Sequence, residues 1–196
     1  VDEVVRTVAQ PTIDEMARRG TPFAGLLYVG LALTSRGTRV IEFNARFGDP
    51  ETQVVLASLK TPLAGVLYAA AVGELASLPP LEWYDGAAVT VVVAAENYPG
   101  VPVTGDPITG IEDAEGVEGV HVLHAGTKAG PDGVPVSAGG RVLSVVAQAP
   151  TLAEARDNVY DAVSQIFLRG SHYRTDIADK AIEGTIVVSS AQGVAQ

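Results

Sequence analysis

The sequence predicts an α+β chain in two parts: a mixed helix-and-strand segment, then a small strand-rich, barrel-like domain with a covering helix. Three observations lead there. Two apolar runs, 24–33 and 39–43, flank the turn-forming Thr34-Ser-Arg-Gly-Thr38, and helix-start signals follow at Asp49-Pro50 and Thr61-Pro62. Leu78-Pro-Pro-Leu-Glu82 then interrupts the pattern, because two prolines continue neither helix nor strand and favour an extended connection. Beyond it come β-branched runs, 87–95 and 141–148, punctuated by Tyr98-Pro-Gly100, Gly105-Asp-Pro107 and Gly130-Pro-Asp-Gly133. The expected boundaries are 1–77 for the first domain, 78–86 for the linker and 87–196 for the second domain.

Each element has a local reason. Val1, Val4, Val5 and Val8 follow helical spacing, so residue 1 is expected inside or next to a helix, and with valine there the sequence reads as a fragment. Pro11 is expected to break or kink this helix, with Ile13, Met16 and Ala17 continuing its apolar stripe until Gly20 ends it. The two apolar runs then form an antiparallel hairpin. Asp49 suits the N-cap, Pro50 the first helical position and Glu51 the positive end of the dipole, which starts a helix running to about Lys60. Thr61 as cap and Pro62 as first residue start a second, alanine-rich helix to about Leu75. Thr151-Leu-Ala-Glu154 is a capping box opening a helix over 151–168. Its face of Leu152, Ala155, Val159, Ala162, Val163 and Ile166 is expected to cover the barrel.

The chemistry concentrates in Val40-Ile-Glu-Phe-Asn-Ala-Arg-Phe-Gly-Asp-Pro-Glu-Thr-Gln53. Side chains alternate along a strand, so Glu42, Asn44 and Arg46 share one face. Magnesium takes hard oxygen ligands, commonly one or two from protein and the rest from water and substrate phosphates. Glu42 and Asn44 supply such oxygens, and Arg46 adds a planar fork suited to phosphate or carboxylate. The same spacing also describes a solvated strand face. Asp49 and Glu51 fit a structural role in starting the helix, although a helix N-terminus beside a cation site also offers N–H groups to an anion.

Other candidates are weaker. His121 and His124 stand three apart on a strand and so face opposite ways. His172 is expected at a surface or between domains. Without a Gly-x-Ser-x-Gly elbow a hydrolase triad is unsupported, and Gly139-Gly140, lacking a following Gly-Lys-Ser/Thr, reads as a hairpin turn. Glu96-Asn-Tyr-Pro-Gly100 fits either a loop closing over a site or a plain turn that uses Tyr98 for packing.

Composition narrows the function classes. With 47% hydrophobic and 18% charged residues, 196 residues can bury a substantial core. No apolar run reaches a membrane span and no signal-like segment opens the sequence, so cytoplasm is the expected location, with no membrane partner. The absence of cysteine removes disulfides, thiolate catalysis and Cys-type zinc sites. Thirteen basic against 23 acidic residues give a net charge of −10, which repels nucleic acid, so any phosphate site must be local and cation-assisted.

The block Glu42-Phe-Asn-Ala-Arg-Phe-Gly-Asp-Pro-Glu-Thr-Gln53, preceded by Pro22-Phe-Ala-Gly-Leu-Leu-Tyr-Val-Gly-Leu31, resembles the end of the ATP-grasp domain of the phosphoribosylamine–glycine ligase (glycinamide ribonucleotide synthetase) family. A Glu-x-Asn-x-Arg core is shared by many ATP-grasp enzymes, biotin carboxylases among them, whereas the longer block marks this ligase family. The likeness continues through Val92-Val-Ala-Ala-Glu-Asn-Tyr-Pro-Gly100, His124-Ala-Gly-Thr127, Gly139-Gly-Arg-Val-Leu143 and Tyr173-Arg-Thr-Asp-Ile177. Gln148-Ala149 and Ala178 depart from it, standing where glycine-bearing segments are expected.

The resemblance implies the C-terminal part of an ATP-grasp domain followed by the small domain. It implies ADP-forming ligation of glycine to 5-phosphoribosylamine in purine biosynthesis, through a glycyl phosphate, with ATP as substrate. By the same resemblance Glu42 and Asn44 would hold Mg2+ or Mn2+. Arg46, the candidate catalytic residue, would orient the acyl phosphate or substrate phosphate, and Asp49 and Glu51 would sit at the phosphoribosylamine side. An N-terminal half, with the lid and the lysines that hold the nucleotide, would be missing, leaving the fragment inactive alone. The alternatives are another ATP-grasp carboxylate-amine ligase or carboxylase, separable by substrate screening, and a non-catalytic interaction fragment.

Overall fold

The computed structural model describes residues 1–34 and 36–186, which divide into two compact units. The first contains Val1–Gly48 and Thr61–Glu82, and the second Asp49–Lys60 and Trp83–Ile186. Among the described residues no helix is long and apolar enough to cross a membrane.

In the first unit the N-terminal helix runs as α1 (Asp2–Val4), a π-helical stretch Val5–Ala9 and α2 (Gln10–Arg18). Helical winding therefore continues past Pro11 instead of breaking there. The π stretch lets Gln10 N–H reach the Val5 carbonyl, and Pro11 falls in the first turn of α2, where its missing N–H costs little. Gly20, at φ +77°, ends the element as expected. Strands β1 (Tyr28–Thr34) and β2 (Gly37–Asn44) form the antiparallel hairpin, with a bulge where Gly30 pairs with Glu42 and Leu31 with Val40. Of its expected turn, Ser35 lies outside the described residues. Helix α4 (Leu63–Val72) stops short of Leu75 because Gly73 turns left-handed at φ +78°. Its N-cap is Pro62, not Thr61, whose hydroxyl instead accepts from Glu82 N–H at 2.7 Å.

The second unit opens with α3 (Glu51–Ser58), and its N-cap is Pro50, not Asp49. The Asp49 carboxylate accepts instead from the side chains of Gln53 and Arg141. The helix ends before Lys60 because Leu59 becomes extended and bridges to Trp83. Strands β3 (Ala87–Ala94), β4 (Val120–His124) and β7 (Arg141–Ala149) make an antiparallel sheet in the order β3-β7-β4, and β5 (Thr127–Ala129) pairs with β6 (Pro135–Ser137). These are open sheets, so the barrel-like expectation is corrected: three strands in one sheet and two in another do not close. Gly139-Gly140 likewise is no hairpin turn, since it joins β6 to β7 across two different sheets. A short helix α5 (Ile111–Glu115) precedes β4, and α7 (Asp179–Ile182) lies near the end of the described chain.

Val142 through Ala147 are all buried, so both faces of the central strand β7 are covered. The cover includes α3 and α6 (Leu152–Gln165), both of which pack on β3 and β7. Thr151 caps α6 by accepting from Glu154 N–H, and Ala155, Val159, Ala162 and Val163 are its buried face, as the spacing predicts. The helix ends at Gln165 because Ile166 turns extended and Phe167 pairs with Thr109.

Ala178 sits at φ +67°, a conformation that a Cβ makes costly. Ala178→Gly is expected to stabilise the chain by about 0.5 kcal/mol, the relief of strain being partly offset by a freer unfolded chain. Urea unfolding measures it, and a destabilised variant would contradict the strain.

Candidate functional site

In the first unit, Glu42 lies near the end of β2 and Asn44 is its last residue. Their side chains meet, with Asn44 Nδ2 donating to Glu42 Oε1 at 2.9 Å. This is the shared face that alternation predicts. Gly30 lies opposite Glu42 across the hairpin, and a Cβ there would stand 3.1 Å from Glu42 Cγ. A bare backbone at this position thus leaves the room that the glutamate stem occupies. Arg46 follows the strand, is exposed, and donates from Nη1 to the Phe47 carbonyl at 2.7 Å.

Two oxygen-bearing side chains in contact, one exposed and one half-buried, fit a hard divalent cation that takes few protein ligands. Among the described residues no group of three or more His, Cys, Asp or Glu gathers as a metal cage. His121 is exposed on β4, and His124 Nδ1 lies 2.9 Å from the Thr127 hydroxyl.

Asp49 and Glu51 belong to the second unit. Glu51 is the first residue of α3. Asp49 Oδ1 accepts from Gln53 Nε2 at 2.9 Å, and its Oδ2 and carbonyl oxygen accept from Arg141 Nη1 at 2.9 and 2.8 Å. Arg141 Nε in turn donates to the Tyr98 hydroxyl at 3.0 Å. These partners raise the Arg141 pKa above its ordinary value, the Tyr98 bond first and the Asp49 bond second. Burial acts against them.

A cavity of about 420 Å³ opens beside this cluster, lined among others by Pro50, Thr90, Tyr98, Arg141, His172 and Arg174. His172 is exposed, its backbone bridging to Ala94 at the end of β3. Arg174 is held by Asp176 through bonds of 2.8 and 2.6 Å, which raise the arginine pKa and lower that of the aspartate. The segment 96–100 is a turn fastened by Gly100 N–H to the Asn97 carbonyl at 2.7 Å, and it carries Tyr98 onto Arg141.

The sequence assigns no role to Arg141 or Gly30, and to Tyr98 only packing within its turn. Arg141 and Tyr98 do lie in the blocks Gly139-Gly-Arg-Val-Leu143 and Glu96-Asn-Tyr-Pro-Gly100 that carry the family likeness. That is the signal that could have paired them.

The family model for the phosphoribosylglycinamide synthetase ATP-grasp (A) domain matches residues 1–52, and that for the C domain of the same synthetase matches residues 88–180. A phosphoribosylamine–glycine ligase of Streptomyces coelicolor is 69% identical over 183 residues, covering 92% of this chain and 44% of the relative. One from Mycobacterium tuberculosis strain H37Rv is 56% identical over 186 residues, covering 95% and 43%. The chain thus spans less than half the length of these curated relatives. Among solved structures, phosphoribosylamine–glycine ligase from Thermotoga maritima superposes with a TM-score of 0.75 at 31% identity, over 90% of this chain and 42% of that one. N5-carboxyaminoimidazole ribonucleotide synthetase from the same organism shares the fold, with a TM-score of 0.58 at 16% identity over 85% of this chain and 41% of that one. Taken with the Glu42–Gln53 block on β2 and α3, these matches establish that the chain belongs to the phosphoribosylglycinamide synthetase family, of which it carries ATP-grasp and C-domain segments.

Proposed function

We propose that this chain is the C-terminal half of an ADP-forming ligase that joins glycine to 5-phosphoribosylamine, giving glycinamide ribonucleotide and phosphate. The observation that carries the reading is the contact of Glu42 with Asn44 on β2, inside the segment matched to the ATP-grasp domain. Glycine's carboxylate is a poor acylating agent, and attack on the γ-phosphate of ATP converts it into an acyl phosphate with a good leaving group. Glu42 and Asn44 would hold Mg2+ or Mn2+, which when bound supplies positive charge to the phosphates as they are transferred. Arg46 orients the acyl phosphate or substrate phosphate through its planar fork. Asp49 and Glu51 face the phosphoribosylamine, accepting hydrogen bonds from its amine or ribose. The domain boundaries expected from the prolines, with a linker over 78–86, and a cytoplasmic location belong to this same reading.

The hairpin supports the need for more chain. A two-stranded sheet is marginal by itself, and Ile41 and Phe43 on β2 are 68% and 44% exposed. Residues that the longer relatives have and this chain does not would cover that surface and supply the lid and phosphate-binding lysines. The test is phosphate release by residues 1–196 with and without the upstream half, omitting ATP, glycine and phosphoribosylamine in turn. Turnover is expected when the halves are combined and every substrate is present, and it should stop when glycine is left out. Robust turnover by this chain alone would overturn the half-enzyme reading, and indifference to glycine would overturn the choice of ligase.

A further inference from the structure

We propose that Arg141 is a positioning residue for this reaction, gripping the carboxylate and carbonyl of Asp49 so that the Asp49–Glu51 turn presents its acidic groups to substrate in one fixed geometry. The inference rests on the ligase reading above. Three bonds define the grip: Nη1 to Asp49 Oδ2 and to its carbonyl, and Nε to the Tyr98 hydroxyl. A planar guanidinium held at two edges cannot swing, whereas a lysine ammonium at the same place would keep the charge without the fork.

Both ends of the grip are anchored. Arg141 begins the central strand β7, and its carbonyl accepts from Gly126 N–H at 2.8 Å. The Tyr98 ring lies so close over Gly140 that a Cβ there would overlap it. The turn carrying Tyr98 is closed by Val103 N–H on the Glu96 carbonyl at 3.0 Å, and Asn97 within it sits at φ +70°. On the other side Asp49 Oδ1 is fixed by Gln53 Nε2 from α3. Each carboxylate oxygen is therefore set from a different element. With side chains 40% and 48% exposed, the Arg141–Asp49 pair adds little to folding, so two bonds to Asp49 and a third that braces the guanidinium on Tyr98 point to orientation.

Two measurements test this. In the chain of residues 1–196, Arg141→Lys is expected to lower the backbone amide order parameters of Asp49 and Glu51–Gln53 from about 0.85 to below about 0.6 while the unfolding midpoint barely moves. In the full-length enzyme, the same variant is expected to lower kcat by about 10- to 100-fold with KM for ATP unchanged. Tyr98→Phe is expected to lower kcat several-fold, and the double variant to be no slower than Arg141→Lys, because Tyr98 acts through Arg141. Unchanged order parameters in Arg141→Lys, additive losses in the double variant, or losses that track the folded fraction would overturn the proposal. Lowered order parameters at Asp49 alongside a wild-type enzyme that ignores glycine would overturn the ligase reading, and with it the reaction assigned to Arg141, while leaving the fixation of Asp49 measured.

Discussion

Glu42→Ala in the full-length enzyme is expected to lower turnover by at least about 100-fold and to raise the divalent-cation concentration needed for half-maximal rate. A bound cation contributes several kcal/mol to charge developing on transferred phosphate, and about 1.4 kcal/mol corresponds to a tenfold change in rate. Glu42 is exposed and pairs with Asn44, so removing it leaves no buried group stranded and should barely change the unfolding midpoint. The informative measurement is rate against magnesium concentration at saturating substrates. A variant with normal turnover at limiting magnesium would remove Glu42 from the cation site. Asn44→Asp makes the complementary case: it keeps an oxygen ligand and adds a charge, so partial activity with an altered preference between magnesium and manganese is expected.

What the sequence shows of this molecule is what short-range physics determines. Helix α6 follows from a cap at Thr151 and an apolar stripe, and the β1–β2 hairpin follows from two apolar runs around a short connection. The same-face placement of Glu42 and Asn44 needs nothing beyond alternation along a strand. Asp49 is instructive in the opposite sense. Its residue type and its place before Pro50 satisfy every local rule for an N-cap, yet its carboxylate is held by Arg141, 92 residues away. A local preference worth about 1 kcal/mol yields when a guanidinium arrives from another element. Sheet closure is invisible for a related reason. Strand runs and turns are local, but whether β5 and β6 extend the β3-β7-β4 sheet or pair apart depends on long-range register. Gly139-Gly140 reads as a hairpin turn until the two strands it joins prove to lie in different sheets.

The largest stability effect is expected at Gly110, where Gly110→Ala should cost about 2–4 kcal/mol. Gly110 precedes α5 at φ +79°, a left-handed conformation that costs an L-residue about 1 kcal/mol. Space is the larger problem. A Cβ at this position would overlap the Gln165 carbonyl oxygen and stand 3.0 Å from its carbon. Neither side can yield cheaply. Gln165 is the last residue of α6, whose buried face locks it to the sheet, and directly beyond it Phe167 and Thr109 exchange backbone bonds of 3.0 and 3.1 Å. Gly110 also accepts from Ala114 N–H at 3.0 Å, so moving it away unravels the first turn of α5. Gly133 supplies the control, because it has the same φ of +79° with nothing within 4 Å of a Cβ. Gly133→Ala should therefore cost about 1 kcal/mol from conformation alone. Urea unfolding of both variants separates the two contributions, and equal losses would show that the close approach of Gly110 to α6 does not constrain the fold.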